Sequence, residues 1–248
     1  MAEVPALRRA VAILRALAGS NRPITAGAMA RSLSIPRSSI YEILSVLEEL
    51  GLVAKTGGGY MLGAGVSELG SAYVRANPLQ RLSAPIIRQL AEATRGTAQL
   101  AVLRGWETVY VLKEQSVESV AVITATGVRM PAYLTATGRA IMSALPKRDV
   151  LALLSGEDVF VSRTGAGPTS MRQLLSQLAE TRQQGFALER GEITPGVCTV
   201  AAPVFDVLDR PVAGVGVSIP DAEQSDARVS EVRDRVKAAA DTITSRLR

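Results

Sequence analysis

Apolar residues Leu7, Val11, Leu14 and Leu17 recur at three- and four-residue spacing, which predicts a helix with that side buried. Gly19 and the Asn21-Arg22-Pro23 turn end it, and Thr25 is placed to cap a second short helix that stops near Leu33. Ser34 and Ile35 make a tight connection. Pro36 then suits the first turn of a third helix, where its missing N–H is not needed. That helix carries Ile40, Ile43, Leu44, Leu47 and Leu50 on one face and meets a natural stop at Gly51. Leu52–Lys55 and Tyr60–Leu62, separated by Gly57-Gly58-Gly59, read as a hairpin whose turn type three glycines leave open. The order helix, helix, turn, helix, hairpin describes a winged helix-turn-helix over residues 1–65.

A helical stretch from Val66 to Arg75 leads to Asn77-Pro78, so residues 66–78 form a linker helix and junction, and residues 79–248 a second domain. There Leu79, Leu82, Ile86 and Leu90 predict an amphipathic helix. Thr97–Leu103 and Thr108–Lys113 read as strands joined at Gly105-Trp106. Helices are expected over Thr135–Leu145 and Ser170–Gln184, and strands over Phe186–Glu189, Thr199–Phe205 and Val212–Ile219. A last helix buries Val229, Val232, Val236, Ile243 and Leu247. Hairpins without regular βαβ alternation point to an antiparallel sheet with helices packed on it, an α+β fold of the kind used for sensing.

A third helix that buries Ile40, Ile43, Leu44 and Leu47 turns Arg37, Tyr41 and Ser45 outward, with Ser38 and Glu42 beside them. The start of a reading helix lies deepest in the major groove. Arg37 can donate twice to guanine or pair with phosphate, and Ser38 and Ser39 can bond phosphates beside the free N–H groups of the helix start. Tyr41 reaches a phosphate or a thymine methyl. Glu42 either accepts from cytosine N4 or is a surface carboxylate angled away. Lys55 would touch the sugar-phosphate backbone from the wing. Thr25 and Pro36, at the starts of the second and third helices, complete the candidate DNA-contacting set.

Composition narrows the chemistry. The 248 residues include 28 basic and 23 acidic side chains, a formal net charge of +5, which favours a polyanionic partner without identifying one. Over residues 1–75, eight basic against five acidic residues leave +3, so one domain alone should bind DNA weakly and a dimer or larger assembly is expected. There is no histidine, which excludes Ser-His-Asp and Cys-His catalysis and histidine-bearing zinc sites. The single cysteine, Cys198, permits no intrachain disulfide and fits a reducing compartment. Arg8, Arg9 and Arg15 interrupt the apolar amino-terminal run, so no signal peptide or membrane span is expected, and the location is cytoplasmic. Neither a cofactor nor a metal is expected.

These segments resemble the IclR family of bacterial transcriptional regulators along nearly the whole chain. The first domain does so through ALRRAVAILRAL, PITAGAMARSLSIPRSSIYEILSVLEELGLV and GGGYMLG. The second does so through PAYLTATGRAIMSALP, GFALERGEITPGVCTVAAPVFD and VAGVGVSIP. The resemblance implies operator binding through the winged helix, dimers formed by amino-terminal segments, tetramers formed by carboxy-terminal domains, and a GAF-like second domain. It also implies a small organic-acid effector, held on the sheet by Met130, Ala136, Thr137, Glu189, Thr199, Gly216 and Ser218. The opening of the 135–145 helix makes such a site physically reasonable, because N–H groups at Ala136, Thr137 and Gly138 favour an anion. Each threonine could equally be a cap or face solvent. The chain departs from the family pattern at several positions. Tyr133 stands where histidine is frequent, Thr199 where cysteine is, and Glu189 where aspartate is usual. Gly216 replaces a hydroxyl residue, and Tyr41 and Glu42 stand where basic or polar residues are frequent. Neither effector nor operator sequence therefore transfers.

Two other readings compete. An enzyme would have only Cys198 as thiol nucleophile, with no histidine to activate it, so no catalytic function is expected. A ligand-sensing adaptor would use the winged helix for protein contacts and show no specific DNA binding.

Overall fold

The computed structural model describes residues 4–119, 125–155, 160–223 and 225–248. They form two compact units, Met1–Asn77 and Pro78–Arg248.

In the first unit the chain order is α1 (Pro5–Ala18), α2 (Ala26–Ser32), α3 (Arg37–Glu49), β1 (Val53–Thr56), β2 (Gly59–Leu62) and α4 (Ala64–Ala76). Ile13, Leu17, Met29, Ile40, Leu44 and Leu47 pack with Val53 and Tyr60 into one core. Each fully buried aliphatic side chain contributes about 1.5–3 kcal/mol. Two details of the sequence reading change. The buried face of α1 is centred on Ile13 and Leu17, while Leu7 and Val11 are exposed, because the helix meets its core only through its second half. Pro36 is the residue before α3, not its first turn, with φ −55° and ψ 141°. Thr25 does cap α2, accepting from Ala28 N at 3.2 Å. The tight turn before α3 is made by Ser34, held at φ 54°.

The hairpin pairs Val53 with Leu62 and Thr56 with Gly59, leaving Gly57-Gly58 as its tip. Of the three glycines only Gly59 takes a positive φ, 136°. It also has no room for a side chain. Ile24 bridges Tyr60 through two backbone hydrogen bonds, and a Cβ on Gly59 would lie 2.6 Å from Ile24 O.

The second unit opens with α5 (Pro78–Thr94), β3 (Thr97–Arg104), β4 (Glu107–Gln115) and β5 (Arg129–Pro131). Next come α6 (Ala136–Ala144), α7 (Lys147–Leu153), α8 (Met171–Gln184) and β6 (Ala187–Arg190). Last are β7 (Val197–Phe205), β8 (Pro211–Pro220) and α9 (Asp226–Leu247). The six strands make one antiparallel sheet in the order β5-β4-β3-β8-β7-β6. The sequence pattern anticipated neither β5 nor α7, since three and seven residues are too few to display a period. The buried stripe of α5 is also turned. Gln80, Ser83, Ile87, Leu90 and Ala91 face inward, with Leu79 and Ile86 at its edge, because Gln80 Nε2 donates to Val111 O of β4 at 3.1 Å.

Side-chain alternation divides the sheet into two faces. Cys198, Val200, Ala202 and Val204 of β7, with Ala213, Val215, Val217 and Ile219 of β8, face α5 and α9. Thr199, Ala201, Gly214, Gly216 and Ser218 occupy the intervening positions, the face on which α6 lies. The helix sits close because the residues beneath it are small. A Cβ on Gly216 would meet Thr137 Cγ2 at 2.9 Å, and one on Gly138 would meet Ala132 O at 2.1 Å.

Candidate functional site

In the first unit, burial of Ile40, Leu44 and Leu47 leaves Arg37, Ser38, Tyr41, Glu42 and Ser45 exposed and Ser39 half-buried. Thr25, Pro36 and Lys55 are also exposed. Arg22 and Arg31, counted in the sequence only as charge, add two more exposed cations. Neither they nor Arg37 and Lys55 enter an ion pair among the described residues. The outward face of α3 therefore offers a guanidinium, hydroxyls and a phenol at helical spacing. Its carboxylate, Glu42, enters no ion pair among the described residues either.

In the second unit, a small cavity of about 20 Å³ lies between the start of α6 and the sheet. Ala136, Glu189, Thr199 and Ser218, all expected from the sequence, line it, together with Gln99 and Tyr110. Ile193, Thr194 and Val197 complete the lining. Register explains the polar side of this cavity: Glu189 pairs with Thr199 across β6–β7, and Thr199 pairs with Ser218 across β7–β8. Ser218 Oγ and Thr199 Oγ1 are 2.8 Å apart, and Gln99 Nε2 donates to Ser218 Oγ at 3.0 Å. Glu189 Oε1 accepts from the backbone N–H groups of Glu192 (2.8 Å) and Ile193 (3.1 Å), so it also holds that segment. Two buried polar atoms here lack partners, Gln99 Oε1 and Thr137 Oγ1.

The other expected effector residues lie elsewhere. Met130, on β5, pairs with Thr108 of β4 and packs in the core with Tyr110 and Tyr133, and it is not among the residues lining the cavity. Gly138 and Gly216 are contact points of α6 with Ala132 and of the sheet with Thr137. Thr137 is buried at the first turn of α6. Its hydroxyl faces Tyr110 and partly offsets the effect of burial on the phenol, without closing a hydrogen bond. The Thr135 hydroxyl caps Gly138 N at 3.0 Å, leaving the amides of Ala136 and Thr137 as the open ones of the first turn.

Burial governs the protonation of these groups. It raises Tyr110 far above the ordinary phenol range, so the phenol remains a donor. Burial likewise raises Glu189, opposed by the Ile193 N–H and the Thr199 hydroxyl and reinforced by Glu192. The Cys198 thiol is pushed up to about 11, again chiefly by burial, which makes it a poor nucleophile. It faces the opposite side of the sheet, among Val200 and Val217.

Sequence reasoning missed the framework around the cavity. Arg139 is buried and forms an ion pair with Glu192, and its guanidinium also donates to Leu188 O (2.6 Å) and Tyr133 O (3.3 Å). Tyr133, found where the family often has histidine, donates to Val161 O and accepts from Val161 N, and its ring packs 5.1 Å from Phe160. It is thus a structural clamp. The overlooked signal was polarity in apolar surroundings: Gln99 within Ala98–Val102, and Arg139 within a helix of small and apolar residues. Among the described residues, no cluster of His, Cys, Asp and Glu could hold a metal ion, and no helix is long and apolar enough to cross a membrane.

Comparison with known proteins agrees with this architecture. Residues 6–57 match the IclR helix-turn-helix domain, and residues 71–245 match the bacterial transcriptional regulator IclR C-terminal domain. The HTH-type transcriptional regulator BhcR of Paracoccus denitrificans is 29% identical over 241 residues, covering 96% of this chain and 85% of that protein. The transcriptional repressor IclR of Escherichia coli is 26% identical, over 98% of this chain and 89% of its own. The Thermotoga maritima IclR crystal structure superposes with a TM-score of 0.80 at 26% identity, covering 97% of this chain and 98% of that one. An IclR homolog from Microbacterium hydrocarbonoxydans, solved in complex with 4-hydroxybenzoate, shares the fold with a TM-score of 0.84 at 20% identity, covering 98% of each chain. The chain belongs to the IclR family of bacterial transcriptional regulators, which are not enzymes.

Proposed function

We propose that this regulator binds a pseudo-palindromic operator as a dimer or tetramer, inserting α3 into the major groove, and that a small organic acid in the α6 cavity modulates its binding or its activating contacts. The observation that carries the DNA reading is the exposed face of α3, with Arg37 and Ser38 at its start and Tyr41 and Ser45 at the following turns. Arg37 reads or anchors, Ser38 and Ser39 bond phosphates, and Lys55 anchors the wing. Dimerisation is supported by Val4, at the cap of α1, and Leu7 and Val11 on it, exposed apolar residues that the first unit does not cover. The modest charge of one domain makes pairing necessary, and two-fold symmetry would place two reading helices roughly 34 Å apart. The effector reading is supported by the convergence of Tyr110, Ser218 and Ala136 at the start of α6 on one cavity, and by the 4-hydroxybenzoate held by the Microbacterium homolog. Ligand then shifts the population of DNA-competent assemblies, a coupling of about 1–3 kcal/mol.

Fluorescence anisotropy with DNA from the gene's own upstream region, against scrambled competitor at two salt concentrations, tests the first half. Selective binding that weakens with salt is the expected result. A flat isotherm at low salt would instead favour the protein-binding adaptor.

A further inference from the structure

Four strands contribute to a polar row on the α6 face of the sheet: Gln99 on β3, Ser218 on β8, Thr199 on β7 and Glu189 on β6. Glu189 is an acceptor, marked as such by two backbone N–H groups on Oε1. Thr199 is its direct cross-strand partner and has its hydroxyl 2.8 Å from that of Ser218. The Gln99 amide donates from Nε2 to Ser218 Oγ at 3.0 Å, which leaves its Oε1 buried and without a donor. The row thus ends in two acceptors facing one cavity, Gln99 Oε1 and the Glu189 carboxylate. Donors also line it, at Tyr110 and at Ala136, whose amide is one of the open ones of α6. No lysine or arginine lines the cavity among the described residues, because Arg139 is engaged by Glu192 and two carbonyls.

From this arrangement we infer that the effector is a small hydroxy acid with a single carboxylate. Its acidic group would lie at the α6 start, and its hydroxyl would donate to Glu189 or Gln99. The inference rests on the cavity being the effector site. An acid without a hydroxyl leaves Gln99 Oε1 orphaned, and a dicarboxylate sets its second charge against Glu189 with no cation to offset it. A buried polar site built around a ligand hydroxyl discriminates strongly against the analogue that lacks it. The cavity, about 20 Å³, holds about one water molecule, so a larger ligand requires its walls to part, and Ile193, Thr194 and Val197 form one of those walls. Glu189 is tied to that wall, since it accepts from the Glu192 and Ile193 amides.

The test is calorimetric titration and ligand-observed NMR of the full chain with matched pairs, lactate against propionate and 4-hydroxybenzoate against benzoate, with succinate as the dicarboxylate. Glu189→Gln removes the charge, and Thr194→Trp, at a half-buried loop position, fills the mouth; calorimetric unfolding verifies that both fold. One charge-assisted hydrogen bond corresponds to a preference of about tenfold or more for the hydroxylated member in the unaltered protein. Glu189→Gln is expected to reduce that preference to about threefold or less and to strengthen succinate binding, while Thr194→Trp abolishes binding. Equal binding of both members of each pair, sensitive to Thr194→Trp, overturns the hydroxy-acid class and leaves the cavity as the effector site. A preference that survives Glu189→Gln overturns the part given to Glu189. Binding indifferent to Thr194→Trp, or absent for the whole panel, overturns the cavity reading and the ligand class with it.

Discussion

Replacing Glu192 by alanine strands a guanidinium in the interior of the second unit. The Arg139 side chain is 3% exposed and that of Glu192 11%, so solvent cannot take over the lost role. Arg139 would keep the carbonyls of Leu188 and Tyr133 but lose the Glu192 carboxylate. Removing one partner of a buried ion pair costs about 3–5 kcal/mol, because the remaining charge stays desolvated. With a urea dependence of about 2 kcal/mol per molar, the unfolding midpoint of this unit falls by about 1.5–2.5 M. The assay is unusually clean, since the one tryptophan, Trp106, lies at the β3–β4 turn and is 44% exposed. Its fluorescence therefore reports on the second unit. The pair itself is isolated by a double-mutant cycle with Arg139→Met, where a coupling of about 2 kcal/mol or more is expected. A midpoint within about 0.3 M of the parent protein, or single effects that simply add, would refute the assignment of Arg139 and Glu192 as a coupled buried pair.

Arg37→Ala should weaken operator binding by about 1–3 kcal/mol and narrow the gap between operator and scrambled DNA. Lys55→Ala should instead weaken both alike and lower the salt slope by about one; anisotropy titrations over a salt series separate the two. Glu189→Gln should raise stability at neutral pH. Burial lifts the Glu189 carboxyl above its unfolded value, so its contribution is fully present below the unfolded value and is lost as pH rises through the folded one. The stability difference between parent and Glu189→Gln, followed by urea unfolding from pH 7.5 to about 4.5, should therefore shift toward the parent as pH falls. A difference constant across that range would count against the buried carboxylate. Leu7→Asp with Val11→Asp should leave the fold intact, since both positions are exposed, and halve the assembly in sedimentation equilibrium, a dimer to monomers or a tetramer to dimers. An unchanged assembly state would move the interface away from α1.

The winged helix was legible because each of its elements carries a complete local signal. Thr25 is a cap, Ile40–Leu44–Leu47 is a helical stripe, and Gly51 is a stop with φ 68°. The face of α1 was not, because Leu7 and Val11 obey the same three-and-four spacing as buried residues while covering nothing in their own unit. Apolar periodicity states that a side wants a partner, not whether that partner belongs to the same chain. The cavity was hidden for a different reason. Both faces of β7 and β8 are buried, so the strands read as continuous apolar runs, and alternation no longer marks which residues lie under α6. Resemblance supplied Glu189, Thr199 and Ser218 as names without a geometry, and with them Met130 and Gly216, which belong to the core and to helix seating. Gln99 appeared in neither reading. It enters the row because β3 lies between β4 and β8, a neighbour relation that only the assembled sheet supplies. A single polar residue on a doubly buried strand must find a partner across strands or remain unsatisfied. Gln99 does both, one end of its amide on Ser218 and the other with no donor. That second end is the strongest physical argument that the cavity is built to receive a hydrogen-bond donor.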